Sequence, residues 1–352
     1  MREYDFDYRL LPDGTAEITA WSGSGEAVVP TALSGHPVAS IGRCAFSGKG
    51  ALTGVLLPEG LSTIREEAFS GCSGLREVVL PDSVRNVEPG AFLRCRSLKA
   101  FRVSPEHPAL KTADGVLLDR KGHTLLCYPA GKTDQNYDVP LGVNVIANAA
   151  FSWCAYLREG VLPRGVTVLG EDAFSMCAGL REIFIPNGLL TIGDRAFSGC
   201  GQLAAIDLPG SVEHIGDEAF SGCDSLQSVI LPSVLKYVED GVFSGCSHLR
   251  ALSLPESVSD IGDRAFADCV SLNDTNLPVN LLRIGSSAYE NCRSLTALEV
   301  PDTVERIGPR AFKGCRLLTL TVSPNGPAHA TARRDRVAWR YYGKRFRHRK
   351  RF

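Results

Sequence analysis

The residues best able to do chemistry in this 352-residue chain are its twelve cysteines. Ten of them (Cys72, Cys95, Cys154, Cys177, Cys200, Cys223, Cys246, Cys269, Cys292 and Cys315) follow an aromatic ring by three residues. That placement separates the possible chemistries. A thiolate metal site needs ligands converging on one point, whereas one position of a repeated unit runs along a line. A disulfide needs a defined dihedral, which parallel Cβ vectors from stacked units oppose. The ten are therefore expected to form a buried, reduced column in which Cys acts as a small hydrophobe. Cys44 and Cys127 lie outside that column and are expected to be the exposed thiols. The seven histidines (His36, His107, His123, His214, His248, His329 and His348) share no metal-ligand spacing. Gly-x-Ser-x-Gly is absent, as are a phosphate loop, a dinucleotide fingerprint and a zincin helix. Paired acids such as Glu66-Glu67 and Glu171-Asp172 read as a solvated face. No metal, cofactor or catalytic residue is assigned, and the chain is read as non-enzymatic.

The elements that position these residues come from an internal repeat. The ring position is occupied by Phe46, Phe69, Phe92, Phe151, Phe174, Phe197, Phe220, Phe243, Phe266, Tyr289 and Phe312, eleven copies spaced 23 residues apart. The one exception is the step from Phe92 to Phe151, which spans 59 residues, one period plus an insert of 36. A unit this short cannot bury its own apolar face, so identical units must stack, each apolar side chain above its copy in the next coil. Within a unit, Leu-x-x-(Ile/Val)-x-Leu-Pro reads as a short strand ended by a proline that cannot donate to a ladder. Val-x-x-Ile-Gly reads as a second extended piece, and Ala-Phe-Ser-Gly-Cys as a tight helical or 3-10 turn with glycine in the left-handed region at its end. The ring row is core. Tyr289 breaks it, and its hydroxyl is expected to reach solvent or a partner.

Composition agrees with a packed chain: 44% of residues are apolar and 22% charged. No run of 18 apolar residues occurs, so no transmembrane helix is expected, and the first twenty residues contain no apolar signal core. The net charge of -1 is uneven: residues 325–352 carry +9, which leaves -10 for residues 1–324.

The recurring pattern Leu-Pro-x-x-Val-x-x-Ile-Gly-x-x-Ala-Phe-x-x-Cys, over roughly residues 36–322, resembles the BspA-like class of leucine-rich repeats, named for bacterial surface antigens. The resemblance implies a right-handed leucine-rich-repeat solenoid, here of about eleven units, that presents a surface to a protein or extracellular-matrix ligand. It implies a location at the cell surface or outside, and it carries over no catalytic residues. The scaffold is read as a monomer. Residues 1–35 are expected to form a β-hairpin cap, 36–104 and 140–324 the solenoid repeats, 105–139 a β-hairpin insert turning at Arg120-Lys121-Gly122, and 325–352 a flexible basic tail with no capping role.

Three surfaces are candidates for binding. By period-two alternation, one strand position faces outward and reads Leu56, Val79, Arg102, Val161, Phe184, Asp207, Ile230, Ser253, Asn276 and Glu299 along the repeats. Val161, Phe184 and Ile230 are the proposed contact, against the alternative that another part of the chain covers them. Trp153 and Met176 replace the turn glycine in two successive repeats, with Tyr156 nearby, and the favoured reading is that the insert packs on them. The tail mixes cations and aromatics (Arg333, Arg334, Trp339, Arg340, Lys344 and Arg345), a composition able to bind nucleic acid or an anionic membrane. It could equally fold back on the acidic repeats or be a non-native reading frame. Nucleic-acid binding is disfavoured, because a basic run alone is a weak signal.

Overall fold

The computed structural model describes residues 1–342 and divides into two compact units, Met1–Gly179 and Leu180–Phe352. Each unit is a β-solenoid of leucine-rich-repeat type, and together they hold about 14 turns.

In most repeats the proline-terminated strand spans three residues, the middle one buried and the last exposed. Strand Ala205–Asp207 pairs parallel with Ser228–Ile230, and between their exposed ends Ile206 and Val229 enter the core. A second short strand follows: Thr63–Ile64 pairs parallel with Asn86–Val87 in the first unit, and Tyr237–Val238 with Asp260–Ile261 in the second.

The Ala-Phe-Ser-Gly-Cys segment, read from sequence as a tight helical or 3-10 turn, is a succession of tight turns. Its N–H groups bond three residues back, as in Ala68 to Arg65 (3.1 Å), Ser70 to Glu67 (3.0 Å) and Cys72 to Phe69 (3.1 Å). Two left-handed residues prevent these bonds from joining into a helix. One is the expected glycine (Gly71, φ 75°); the other lies just before the alanine and is mostly not glycine, as at Glu67 (φ 56°), Arg195 (φ 54°) and Glu218 (φ 55°). A side chain there costs about 1–2 kcal/mol. The cost is offset because the same backbone N–H reaches the next turn, Arg195 to the Asp217 carbonyl and Glu218 to that of Asp240, both at 2.8 Å. With Phe220 to Val242 (2.9 Å) and Gly222 to Ser244 (2.8 Å), every second N–H of this turn is spent along the stack. Aspartates of the turn extend the pattern: Asp194, Asp217 and Asp240 each accept the backbone N–H of the residue 23 positions on, at 2.6–3.0 Å.

The core of each unit is a column of stacked rings. In the first, Phe46, Phe69 and Phe92 lie 4.7 and 5.2 Å apart. Phe151 lies between Tyr128 at 5.1 Å and Phe174 at 4.6 Å. In the second, Phe197 through Phe312 stack at 5.0–5.8 Å. Tyr289 is fully buried within that column and its hydroxyl has no hydrogen-bond partner, contrary to the expectation from sequence.

Three turns beyond the eleven read from sequence account for the difference in count. At the start, the antiparallel hairpin Phe6–Leu10 and Ala16–Trp21 is present. Its second strand also pairs parallel with His36–Ile41, and Gly25–Val28 pairs with Leu52–Leu56. Trp21 takes the ring position, 5.5 Å from Phe46, so residues 16–33 form a turn of the solenoid as well as a cover.

The insert is a three-stranded meander, Leu110–Ala113, Val116–Asp119 and Thr124–Cys127, where one hairpin was expected. The additional reversal is at Asp114-Gly115, both with positive φ (50° and 74°), the signature of a two-residue hairpin turn. The third strand pairs parallel with Val145–Ile146, which places Tyr128 on Phe151 as another ring of the column. His107, fully buried, ties the insert down: Nε2 faces the Pro81 carbonyl at 3.1 Å, while Nδ1 accepts the N–H groups of Ala109 and Leu110.

At the other end, residues 325–342 are ordered structure rather than a flexible tail. Helix α1 (Pro327–Asp335) begins with proline in its first turn. Strand Ala338–Tyr341 then pairs parallel with Thr319–Val322. The aliphatic-poor sequence concealed this because the strand is exposed along its length, while Ala328, Thr331, Ala332 and Val337 suffice to seat the segment.

Candidate functional site

The cysteine column is buried, and its thiols have a task the sequence did not reveal. Along the column an S–H donates to the backbone carbonyl of the ring residue 26 positions earlier, as in Cys72 to Phe46 (3.0 Å), Cys177 to Phe151 (2.9 Å), Cys246 to Phe220 (3.2 Å) and Cys315 to Tyr289 (2.9 Å). Cysteine thus fills a small apolar site and satisfies a carbonyl that the turn leaves over. Burial pushes the Cys72 and Cys246 thiols up to about 12, which keeps them in the protonated, weakly nucleophilic form at neutral pH. Cys44 is exposed, with its thiol 3.3 Å from Glu67 Oε2, whereas Cys127 is half-buried rather than exposed. Among the described residues, no three His, Cys, Asp or Glu side chains converge on a point.

The outward strand position is open to solvent. In the first unit Val28 and Leu56 are register partners, both 64% exposed, and Val79, one repeat on, is 54% exposed. Arg102, the register partner of Val79, ends this apolar run. Val28 escaped the sequence reading because it precedes the first recognisable repeat. Val161, further along the same unit, is 46% exposed and pairs in register with Asp138. In the second unit Phe184 and Ile230 are 60% and 67% exposed. They are not direct neighbours, because the strand carrying Asp207 lies one repeat after Phe184 and is the register partner of the Ile230 strand. Beyond Ser253 the row turns polar: the Asn276 amide bonds the N–H and carbonyl of Leu254 at 2.7 and 3.0 Å, and Glu299 is exposed.

The turn residues resolve differently. Trp153 holds a left-handed backbone (φ 67°) and is covered by two guanidinium groups, Arg94 at 4.6 Å and Arg96 at 5.1 Å from the ring. Its cover is therefore the repeat before the insert, not the insert. Met176 (φ 59°) and Tyr156 remain exposed.

Of the basic residues, Arg333 and Arg334 lie in α1, and Trp339 and Arg340 on the last strand. Arg334 bonds the Gly308 carbonyl (2.6 Å) and Asp335 (3.1 Å), and Arg340 bonds Thr321 (3.1 Å), so both are engaged within the fold. Lys344 and Arg345 lie outside the described residues. Among the described residues, no helix is long and apolar enough to cross a membrane.

The BspA type leucine rich repeat region matches the chain in six copies, over residues 34–112, 144–273 and 213–326. The chain belongs to this family. Among solved structures, this BspA-type protein is similar to a leucine-rich repeat protein from Eubacterium ventriosum, with 21% identity over 92% of this chain and 95% of that one and a TM-score of 0.58. That likeness supports the same fold. A leucine-rich repeat protein from Bacteroides ovatus is 23% identical over 97% of this chain and all of that one, with a TM-score of 0.49. A leucine rich cell surface protein from Faecalibacterium prausnitzii is 20% identical over 78% of this chain and 93% of that one, with a TM-score of 0.42. No curated protein matches the chain.

Proposed function

We propose that this BspA-type protein is a non-enzymatic recognition scaffold, adhesin-like, that binds a protein or extracellular-matrix ligand through the outward strand row. The observation that carries the reading is the exposure of large apolar side chains where the solenoid's own packing does not need them. Val161, Phe184 and Ile230 could have been covered by another segment of the chain; instead each is about half exposed or more. Runs of exposed apolar surface of this kind mark interaction sites in other proteins. In the first unit Val28, Leu56 and Val79 add a run of exposed apolar side chains on successive repeats. Regular backbone fixes these side chains in place, so little ordering entropy is lost when a partner covers them. Location at the cell surface or outside belongs to the same proposal.

The test replaces Phe184 with Asp, and separately Leu56 with Asp, and measures capture of purified extracellular-matrix proteins by each variant. Both side chains face solvent, so the fold should survive unchanged in circular dichroism. Loss of binding by at least tenfold in either variant supports the site; unchanged binding in both removes it.

A further inference from the structure

We propose that the groove beside helix α1 is a separate binding site for a short acidic, aliphatic peptide segment. The groove has a volume of about 460 Å³, within the range of small-ligand sites. Its lining includes Pro327, Ala330 and Arg334 of α1, all exposed, and the half-buried Ile307.

The charge around it is unbalanced in a specific way. Asp263 is taken up by the Ser286 N–H at 2.7 Å and by Arg283 at 3.6 Å. Asp335 takes up Arg334 at 3.1 Å. Arg306 is the register partner of Arg283, so the two guanidinium groups rise from adjacent strands. Among the described residues the Arg306 guanidinium makes no hydrogen bond or ion pair, although its backbone N–H bonds the Leu282 carbonyl, and the Glu305 side chain bonds neither arginine. An unengaged guanidinium next to a second one favours a carboxylate, which it can bind through two parallel N–H bonds. The apolar surface of Pro327, Ala330 and the half-buried Ile307 favours aliphatic neighbours beside that carboxylate. The Ser286 hydroxyl, which makes no side-chain bond, is left to pair with a peptide group.

The probe is a fluorescein-labelled Leu-Glu-Leu peptide amide, titrated into the full chain by fluorescence anisotropy. Saturable binding is expected, weakened at least tenfold when Gln replaces Glu in the peptide. Arg306→Gln should weaken it at least tenfold with an unchanged circular dichroism spectrum, and Arg293→Gln, at an exposed arginine outside the groove, should leave it unaltered. Absence of saturable binding, or equal binding by Arg306→Gln, overturns the proposal. So does displacement by octanoate or inorganic phosphate as effective as that by unlabelled peptide, because the site would then accept any anion.

Discussion

The backbone N–H of Phe312 donates to the carboxylate of Asp335 at 3.0 Å. Elsewhere in the second unit the ring residue's N–H goes to the carbonyl of an alanine or valine in the following turn, as in Phe197 to Ala219 (2.8 Å) and Tyr289 to Ala311 (2.7 Å). Asp335 therefore stands in for the next turn, and α1 closes the stack. Truncating it leaves a buried N–H without an acceptor. Asp335→Ala should destabilise the second unit by about 1.5–3 kcal/mol, read as a lower melting temperature. Unchanged stability would show that α1 is no cap.

Tyr289 carries the opposite expectation. Its ring is needed between Phe266 and Phe312, but its hydroxyl is buried and unpaired. Tyr289→Phe removes that penalty without opening a cavity and should stabilise by about 1 kcal/mol. A decrease in denaturant midpoint would mean that the hydroxyl has a partner. Phe220→Ala, by contrast, should cost about 3–5 kcal/mol, because the fully buried ring leaves a hole in the column.

The thiols should divide by burial. Treating the native protein with iodoacetamide at pH 8 and mapping the adducts by mass spectrometry should show Cys44 modified first and Cys127 slowly. Cys72, Cys246 and the rest of the column should react only in denaturant, because burial keeps those thiols protonated. Rapid labelling of the column in native buffer would contradict the S–H to carbonyl bonds.

Glu17 provides the pH dependence. Burial pushes its carboxyl up, but the bonds from Arg65 Nε (2.5 Å), Arg9 Nε (2.6 Å) and Ser40 Oγ (3.1 Å) outweigh it and hold the group below 4.5. A depressed folded-state value means the ionised form stabilises the fold. That contribution is present above about pH 4.5 and is lost as the pH falls through the folded value. Glu17→Gln should therefore lower the melting temperature at pH 7, and the difference from wild type should shrink toward pH 3. A difference independent of pH would place the effect in packing instead.

Legibility from sequence followed periodicity. The ring and cysteine columns, and the outward row from Leu56 to Glu299, could be placed because stacking demands the same residue type at the same interval. Tyr128 could not, since Leu-Leu-Cys-Tyr lacks the flanking alanine and cysteine that mark the other rings. The left-handed position at Arg195 or Glu218 was invisible because its requirement is set by a hydrogen bond to the next turn, not by side-chain type. The closing segment was missed for a similar reason. Asp335 lies one period after Phe312, but it preserves the bond of the repeat while abandoning its residues.

The most direct test of the recognition surface is site-specific photocrosslinking with benzoylphenylalanine. One probe replaces Phe184 on the strand row, another replaces Ile230, and a third replaces the exposed Glu218 on the turn. Irradiation with captured matrix protein should give covalent adducts from positions 184 and 230 and none from 218. Adducts confined to position 218 would place the partner on the turn side and contradict the assignment of the strand row.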